Sequence, residues 1–600
     1  MTPATVEHDA PRSAVLGRGG DTAESYLAAR VLNALLREDY GGLAARMTRT
    51  KDGVQLVLPT GRRVRLAPGR LYQDFVVAGD ESLTLDEVLS TLTGIADPAD
   101  VGGVAAFTEE CRAALRAYEL HAAHRADVLS RLRREPGTAS GRSAGHGGLA
   151  GSAGQAGSAG FVSSAGVIGS GGGEVRAFPS VVYETLGAFA DHPVYPTSRS
   201  RLGLSDEQVT AYAPEFAPSF ALRWAAVPID RVTRSGDLPH WWPAAADPSY
   251  APFPADPPYV PFPVHPSYVP FPVHPLTLDA VREIPGVVVH DEPYLVVRPT
   301  LSMRTVEVDA RTHLKLPLAT STLGARNRRS IKPGTLGDGA RAERLLREAL
   351  LREPDLDVLL ADEQTYAHAG NEHLGWMVRR LPPGEIVSIA ALLAPSPTRT
   401  AGPRVLDDLA ARYHGGDVSA LLLCYLRVLF TWNVRLFVTY GIALEAHQQN
   451  LSLVFGEGTT RLLVKDNDGL LASPDRLLAA GLAVPDFADR RLLTDDPHAL
   501  ADVFVTITLH LAAAAIAFGA GHGELVAAAL EGALAQHGGH PMARLLRART
   551  LDAARLVGKS MVSAGTLVDR ARIGAADINK HYGTSGPNYL RRHSRREANH

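Results

Sequence analysis

The chain has 600 residues, 45% of them hydrophobic and 21% charged, with a formal charge of −3. That length exceeds one hydrophobic core and predicts two to three domains of ordinary globular composition. The near-zero charge excludes a general nucleic-acid binder, which needs a basic surface. Only Cys111 and Cys424 are present, which excludes a disulfide scaffold and a cysteine-rich zinc site.

The first twenty residues are polar and lack the apolar core of a signal peptide, so with so few cysteines a cytoplasmic location is expected. SYLAARVLNALLRED and EECRAALRAYELHAAHRADVLSRLRR place apolar residues at helical spacing, and residues 22–134 predict a mostly helical part. Between them, GVQLVLPTGRRVRLAP reads as a hairpin. Residues 136–173, including GSAGQAGSAG, hold too little apolar surface to fold and read as a flexible linker. Their IGSGGG end lacks the Gly-Lys-Ser/Thr of a Walker phosphate loop.

Residues 248–275 repeat Tyr followed by Pro-Phe-Pro three times, and alternating prolines demand extended chain. A duplicated loop is the plain reading, and a docking site for a partner the sharper one. Residues 285–335 look strand-like, while 340–600 look mainly helical, broken by one clear hairpin at NLSLVFGEGTTRLLVKDNDG. Val503–Ala520 is the most apolar long run. Its Thr506, Thr508, His510 and many alanines predict a buried helix rather than a membrane span. The basic tail around Arg591, Arg592, Arg595 and Arg596 reads as a solvated end. The resulting plan is α+β. A helical part covers 1–135, the linker 136–173, a sheet-containing part with the proline-rich insertion 174–395, and a helical part 396–600.

Three groups of residues could carry chemistry. In EAHQQNLSLVFGEGTTRLLVKDNDG, Glu445, His447, Gln449 and Asn450 precede a hairpin that returns Asp466 to the same end. Phosphotransferases of the kinase type hold nucleotide and magnesium with a comparable order of Asn, hairpin and Asp. A capped polar loop is the plain alternative. In SMRT and HLKLPLATSTLGAR, Ser302 and Arg304 would share a strand face, Lys315 follows on a partner strand, and Thr322 and Arg326 come at a turn or helix start. Cations and hydroxyls on one sheet suit a triphosphate or polycarboxylate, against a reading as surface charges. In DHPVYPTSRSRLG, prolines hold His192, Arg199 and Arg201 close together, as a tricarboxylate site would need.

Together these stretches resemble the NRPS-independent siderophore (NIS) synthetase family, the aerobactin-synthetase-like IucA/IucC group. The family's HPxHPxxKxRxG is similar to His192-Pro193-Val194-Tyr195-Pro196 through Arg199, Arg201 and Gly203, followed by YAPEFAPSFALRW. PVHPWQ resembles Pro272-Val273-His274-Pro275. SxRT, HLKLPL and a threonine–arginine element match Ser302, Arg304, Thr305, Lys315, Thr322 and Arg326. ExHxQN and Arg-Asp elements match Glu445, His447, Gln449, Asn450 and Asp466. The matches run in order over about residues 180 to 470 and extend weakly to Lys559 and Pro587-Asn588. The sequence departs from the family in four places: Tyr195 for a second His, Arg199 for Lys, Leu276-Thr277 for Trp-Gln, and Lys465 for Arg.

The resemblance implies a cupped-hand fold with a kinase-like hairpin in its C-terminal part. It implies that ATP and Mg2+ activate a small carboxylate, commonly citrate, as an acyl-adenylate, which an amine or hydroxyl then captures with release of AMP. Ser302, Arg304, Lys315, Arg326, His447, Asn450 and Asp466 would hold nucleotide. Glu445 and Asp466 would hold metal. His192, Arg201, Thr322, Arg326 and Lys559 would face the carboxylate. Arg304, Lys315, Arg326 and His447 would carry the catalytic charge. Partners would be small molecules, with no nucleic acid or membrane, and a homodimer is the oligomer such relatives often form. The rival readings are a small-molecule phosphotransferase built on the same hairpin, which would release ADP, and a non-catalytic binding relative.

Overall fold

The computed structural model describes residues 22–135, 177–243, 266–398, 404–573 and 581–591, apart from 52, 70 and 457. The expected linker at 136–173, the first two Tyr-Pro-Phe-Pro copies and the tail from 592 lie outside them.

Helix α1 (Ala23–Arg37) opens on Thr22, whose hydroxyl accepts the Ser25 amide, and buries Leu27, Val31 and Leu35 at four-residue spacing. The expected hairpin is a four-stranded antiparallel meander: β1 (Met47–Thr50), β2 (Gly53–Val57), β3 (Arg63–Pro68) and β4 (Phe75–Val77). Helix α2 (Leu85–Ile95) begins with a reciprocal Thr84–Glu87 capping box. Helix α3 (Val101–Arg134) runs for 34 residues.

Helices α4 (Ser180–Gly187) and α5 (Asp206–Tyr212) lead into a nine-stranded sheet. Its strands in chain order are β5 (Phe220–Pro228), β6 (Thr233–Ser235), β7 (Tyr268–Val273), β8 (Val288–Val289), β9 (Tyr294–Pro299), β10 (Thr305–Asp309) and β11 (Thr312–Lys315). Helix α6 (Leu278–Arg282) lies between β7 and β8, and helix α7 (Thr335–Leu351) follows β11. The remaining two strands of the sheet come later in the chain.

The third Tyr-x-Pro-Phe-Pro copy is therefore strand β7 and not a loop. It pairs with β5 in the register Pro270↔Ala226 and Pro272↔Trp224. Proline is tolerated there because β7 is the last strand of the path and its two prolines, being two apart, face the same side.

The expectation of a mainly helical chain after residue 340, broken by a single hairpin, fails over 358–388. Four strands lie there: β12 (Val358–Leu360), β13 (Asp362–His368), β14 (Gly375–Arg380) and β15 (Glu385–Ser388). The buried face of β13 carries Glu363 and Thr365 beside Ala367, so its alternation is not one of hydrophobicity. Strands β13 and β14 complete the large sheet, in the order β6-β13-β14-β11-β10-β9-β5-β7 with β8 on β5.

Helices α8 (Val405–Tyr413) and α9 (Val418–Arg435) precede strand β16 (Ile442–Ala443). The expected hairpin is present as β17 (Leu451–Gly456) and β18 (Thr459–Val464), in a second sheet ordered β12-β18-β17-β15. That sheet joins strands from both sides of residue 396.

Three stretches wind as π-helix: Leu436–Tyr440, Phe504–Ala514 and Ser563–Leu567. Such turns are rare and gather at functional sites. Val418–Tyr440 and Pro497–Ala520 are long and apolar enough to cross a membrane, but 67% and 83% of their apolar windows are buried inside the fold. They pack as core helices.

One carboxylate joins three distant segments. Glu110 of α3 accepts the Tyr195 hydroxyl at 2.7 Å, the Thr197 hydroxyl at 2.6 Å and the Thr566 hydroxyl at 2.9 Å. Glu110→Ala leaves three buried hydroxyls without their acceptor and is expected to cost about 3 kcal/mol or more in urea unfolding. A loss under about 1 kcal/mol would contradict this role.

Candidate functional site

Strand β11 ends at Lys315, which is only 3% exposed and reaches out of the large sheet toward the end of the hairpin. Its ammonium contacts Asp466 and lies 3.1 Å from Asp468. The Asn450 carbonyl accepts the Lys465 amide at 3.0 Å, which closes the hairpin and places Asp466 beside the Glu445–Asn450 loop. Asp466 has left-handed backbone (φ 64°), and its amide donates to Glu363, whose carboxylate also receives Arg379. Burial works against the charge on Asp466, but Lys315, Arg379 and Arg304 outweigh it and hold the carboxyl well below its ordinary range.

Ser302 and Arg304 do not sit on a strand as expected. They form a tight turn around Met303 (φ 64°), and β10 starts only at Thr305. The Ser302 hydroxyl accepts the Thr305 amide at 3.1 Å, so it braces the turn. Left-handed backbone at a non-glycine residue costs on the order of 1 kcal/mol, and such strain concentrates at functional sites. The Arg304 guanidinium donates to the carbonyls of Arg329 and Ser330 at 3.4 and 3.0 Å.

Arg329 is the residue that the sequence reading missed. Its electrostatic neighbours are Arg304, Asp466, Arg201 and Asp468, and its buried Nε has no hydrogen-bond partner. Burial and the charge of Arg304 push it down to about 9, with Arg201 acting in the same direction. Among the described residues, neither Arg304 nor Arg329 forms an ion pair with a carboxylate.

Arg326 belongs elsewhere. Its backbone amide donates to Gly565 at 3.2 Å and its guanidinium to the Ala564 carbonyl at 3.0 Å. Its charged neighbours are Arg570, Asp569 and Asp100. Gly324 (φ 116°) makes this packing possible, since a Cβ there would meet the Gly565 carbonyl oxygen at 3.0 Å. Thr322 lies in the same turn, its amide donating to the Asn327 carbonyl.

A second part of the site is built from neutral imidazoles. Nδ1 of His192 accepts the amides of Val194 and Tyr195 at 3.1 and 2.9 Å, so its proton sits on Nε2. Arg30 of α1 clamps this loop by donating to the carbonyls of His192 and Tyr195. Burial, then the nearby charges of His447, Arg30, Arg37 and Lys559, lower His192 to about 3. Nδ1 of His447 accepts the Gln449 amide, and burial lowers this ring to about 4, with Asp466 opposing and Lys559, Arg329 and Lys465 assisting. His192, His447 and Lys559 thus share one neighbourhood.

Asn450 uses its amide on the Glu445 carbonyl at 3.2 Å and so shapes the loop. The Glu445 carboxylate lies over Gly469, where a Cβ would meet its oxygen at 2.5 Å, only three residues beyond Asp466.

Other cations of the expected pocket are occupied. Arg199 donates to Asp191 at 2.8 Å, to the Phe189 carbonyl at 2.6 Å and contacts His121, stacking over Tyr118. It is a core residue. Lys465 pairs with Glu184 at 2.6 Å, and Tyr195 is consumed by Glu110. Arg201 lies 3.8 Å from the buried Glu215 and donates to the Ser198 and Ser200 carbonyls, at the edge of the arginine group.

Among the described residues no group of three or more His, Cys, Asp or Glu side chains is arranged to hold a metal ion by itself. Magnesium asks less of the protein, since it takes one or two carboxylates and completes its shell with phosphate and water. Asp466 and Asp468, with Glu445 nearby, fit that requirement.

Residues 181–394 match the family model described as IucA / IucC family, and residues 419–563 the one described as Ferric iron reductase FhuF-like transporter. Staphyloferrin A synthase of Staphylococcus aureus is 24% identical over 298 residues, 46% of this chain and 51% of that protein. The chain spans about half the length of the curated relatives it matches. Petrobactin biosynthesis protein AsbB from Bacillus anthracis superposes with a TM-score of 0.66 at 14% identity, covering 96% of this chain and 97% of that one. ATP-bound aerobactin synthetase IucA from a hypervirulent Klebsiella pneumoniae gives 0.62 at 16% identity, covering 94% and 99%. These likenesses show the α+β fold of NIS synthetases across the described residues. The second family's name concerns iron reduction. A thiolate-held iron–sulfur cluster takes four cysteines, and this chain has two, in separate parts of the fold.

The two imidazoles make stability depend on pH. Both bind protons less readily folded than unfolded, where the ring titrates near 6.5. The unfolded chain therefore holds more protons between about pH 4 and 6.5, and stability falls as pH falls through that window. Each ring is expected to contribute on the order of 1 kcal/mol of this loss, read from urea midpoints at pH 7 and 5. His192→Gln and His447→Gln should flatten the pH profile, and an unchanged slope would contradict the assignment.

Proposed function

We propose, from the match of residues 181–394 to the IucA / IucC family model, that the chain is an ATP-dependent ligase of siderophore type. It joins citrate or a related small polycarboxylate to an amine or hydroxyl. The observation that carries this reading is the arginine pair Arg304–Arg329, without a carboxylate ion pair among the described residues, beside a lysine that already holds two aspartates.

A cation group with more charge than its acids balance favours polyanions, and adenylation brings two together. The carboxylate oxygen attacks the α phosphorus of ATP, the bond to the bridging oxygen breaks, and pyrophosphate leaves. The amine or hydroxyl then attacks the acyl carbon, the bond from carbon to the phosphate oxygen breaks, AMP leaves, and the attacking group gives up its proton. In the first step two anions must approach each other. Arg304, Arg329 and Lys315 are placed to offset that repulsion, and fixed charges in a partly dry site act more strongly than in water.

His192 and His447 stay neutral at working pH and can present Nε2–H donors to carboxylate or phosphate oxygens. Asp466, Asp468 and Glu445 would hold magnesium, which when bound neutralises phosphate charge. Ser302 and Asn450 shape turns that would hold the nucleotide, and Arg201 and Lys559 would face the acid, while Thr322, expected beside them, lies in the turn of Arg326 and bonds Asn327. Arg329 takes the role that the sequence pattern gave to Arg326. A cytoplasmic location, where ATP is supplied, goes with this reading.

Incubation with ATP, magnesium, citrate and hydroxylamine is expected to yield AMP, pyrophosphate and a citryl hydroxamate, and chelation by EDTA to stop all three. Release of ADP would mark a phosphotransferase instead. Arg329→Ala should lower hydroxamate formation about 100-fold or more, while Arg326→Ala should act mainly on stability and change the rate under about tenfold. The reverse order would overturn the assignment of the two arginines.

A further inference from the structure

One short helix touches both sheets. Along α4, Ser180, Tyr183, Glu184 and Gly187 recur at spacings of three and four residues, so they form a single stripe. Ser180 donates its hydroxyl to Glu307 of β10, in the large sheet, at 3.0 Å. Tyr183 donates its hydroxyl to Glu385 of β15, in the second sheet. Gly187 lets the helix close on what lies beneath it: a Cβ there would meet Ala390 Cβ at 3.2 Å and a Leu301 methyl at 3.4 Å.

Glu184 stands between these contacts, and its two oxygens serve different halves of the site. Oε2 accepts the amide of Leu301, the residue before Ser302, at 3.1 Å. Oε1 accepts from the ammonium of Lys465, the residue before Asp466, at 2.6 Å. Both side chains of this ion pair are buried. The Lys465 amide is pinned in turn by the Asn450 carbonyl at 3.0 Å. One carboxylate therefore spans from the turn that carries Arg304 to the hairpin end that carries Asp466.

Lys315 joins the same two halves, but it does so through Asp466 itself. A magnesium ion held by Asp466 would draw on the same carboxylate. The Glu184 link draws instead on a backbone amide and on a lysine already paired with it, so it spends no oxygen that metal or nucleotide would need.

We infer that Glu184 is a positioning residue for adenylation, which sets the spacing between Arg304 and Asp466 through Leu301 and Lys465 without touching substrate. The inference rests on the ligase reading above. A buried acid is suited to this task because its charge is matched on the spot by Lys465 and because α4 fixes its backbone from both sheets.

Glu184→Asp tests this, since it keeps the charge and shortens the side chain by one bond of about 1.5 Å, too short to hold both partners. In acid-dependent exchange of labelled pyrophosphate into ATP, kcat/KM for ATP is expected to fall by about tenfold to 100-fold while KM for the acid changes by less than about twofold, because a shift of about 1 Å in a reacting group is that costly. A second variant separates position from stability. Glu184→Gln combined with Lys465→Met removes both charges, leaves neither buried alone, and keeps an acceptor for the Leu301 amide. It should regain the urea midpoint lost in Lys465→Met alone, but not the exchange. Parental exchange in Glu184→Asp, or exchange that returns with stability in the double variant, would overturn the inference. Absence of exchange in the unaltered protein would remove the ligase reading instead. Calorimetric binding of α,β-methylene ATP with magnesium then still decides the role of Glu184: weaker binding in Glu184→Asp supports it, and equal binding overturns it.

Discussion

The site depends on one buried lysine. Lys315 ends a central strand of the large sheet and would be costly there without counter-charge, because a desolvated ammonium loses several kcal/mol of hydration. Its anions come from the other sheet, at the end of the β17–β18 hairpin. One interaction therefore docks two sheets and assembles a charged centre. Arg379 and Glu363 extend it inward, so Asp466 is held by its side chain, its backbone amide and its left-handed backbone together. A group fixed in this way would need little reorganisation to receive the proposed nucleotide.

Around that centre the chain sorts its cations into two kinds. Arg30, Arg199, Arg326 and Lys465 spend their donors on backbone carbonyls or buried acids and hold segments together. Arg304 and Arg329 lack an acidic partner among the described residues. The first kind gives the second its positions. Arg30 fixes the His192 loop, and Arg326 ties the turn before Arg329 to the π-helical Ser563–Leu567 segment. Three far-apart stretches thus meet around the group of Lys315, Arg304 and Arg329.

Much of the centre was legible in the sequence. Asn450, the hairpin and Asp466 follow a pattern in which register alone returns the acid to the loop, so local rules suffice. Lys315 follows from an alternating strand. Arg326, Arg328 and Arg329 lie within four residues, and nothing local says which one faces the site. That choice is made by the contact of Gly324 with Gly565, some 240 residues away in sequence. Arg199 was misread for a similar reason, since its partners Asp191, His121 and Phe189 meet only in the folded core. Strand β13 was hidden because its inward face holds Glu363, a polar residue buried for the sake of Arg379 and Asp466. Hydrophobic periodicity reads the scaffold well and the site poorly.

The most direct test of the central claim is exchange of labelled pyrophosphate into ATP, measured with citrate or a related acid and without any acceptor. Reversible adenylation at the Arg304–Arg329–Lys315 centre predicts exchange that requires both the acid and magnesium and is lost in Lys315→Met. Exchange absent with every polycarboxylate offered, or ATP cleaved to ADP under the same conditions, would contradict it.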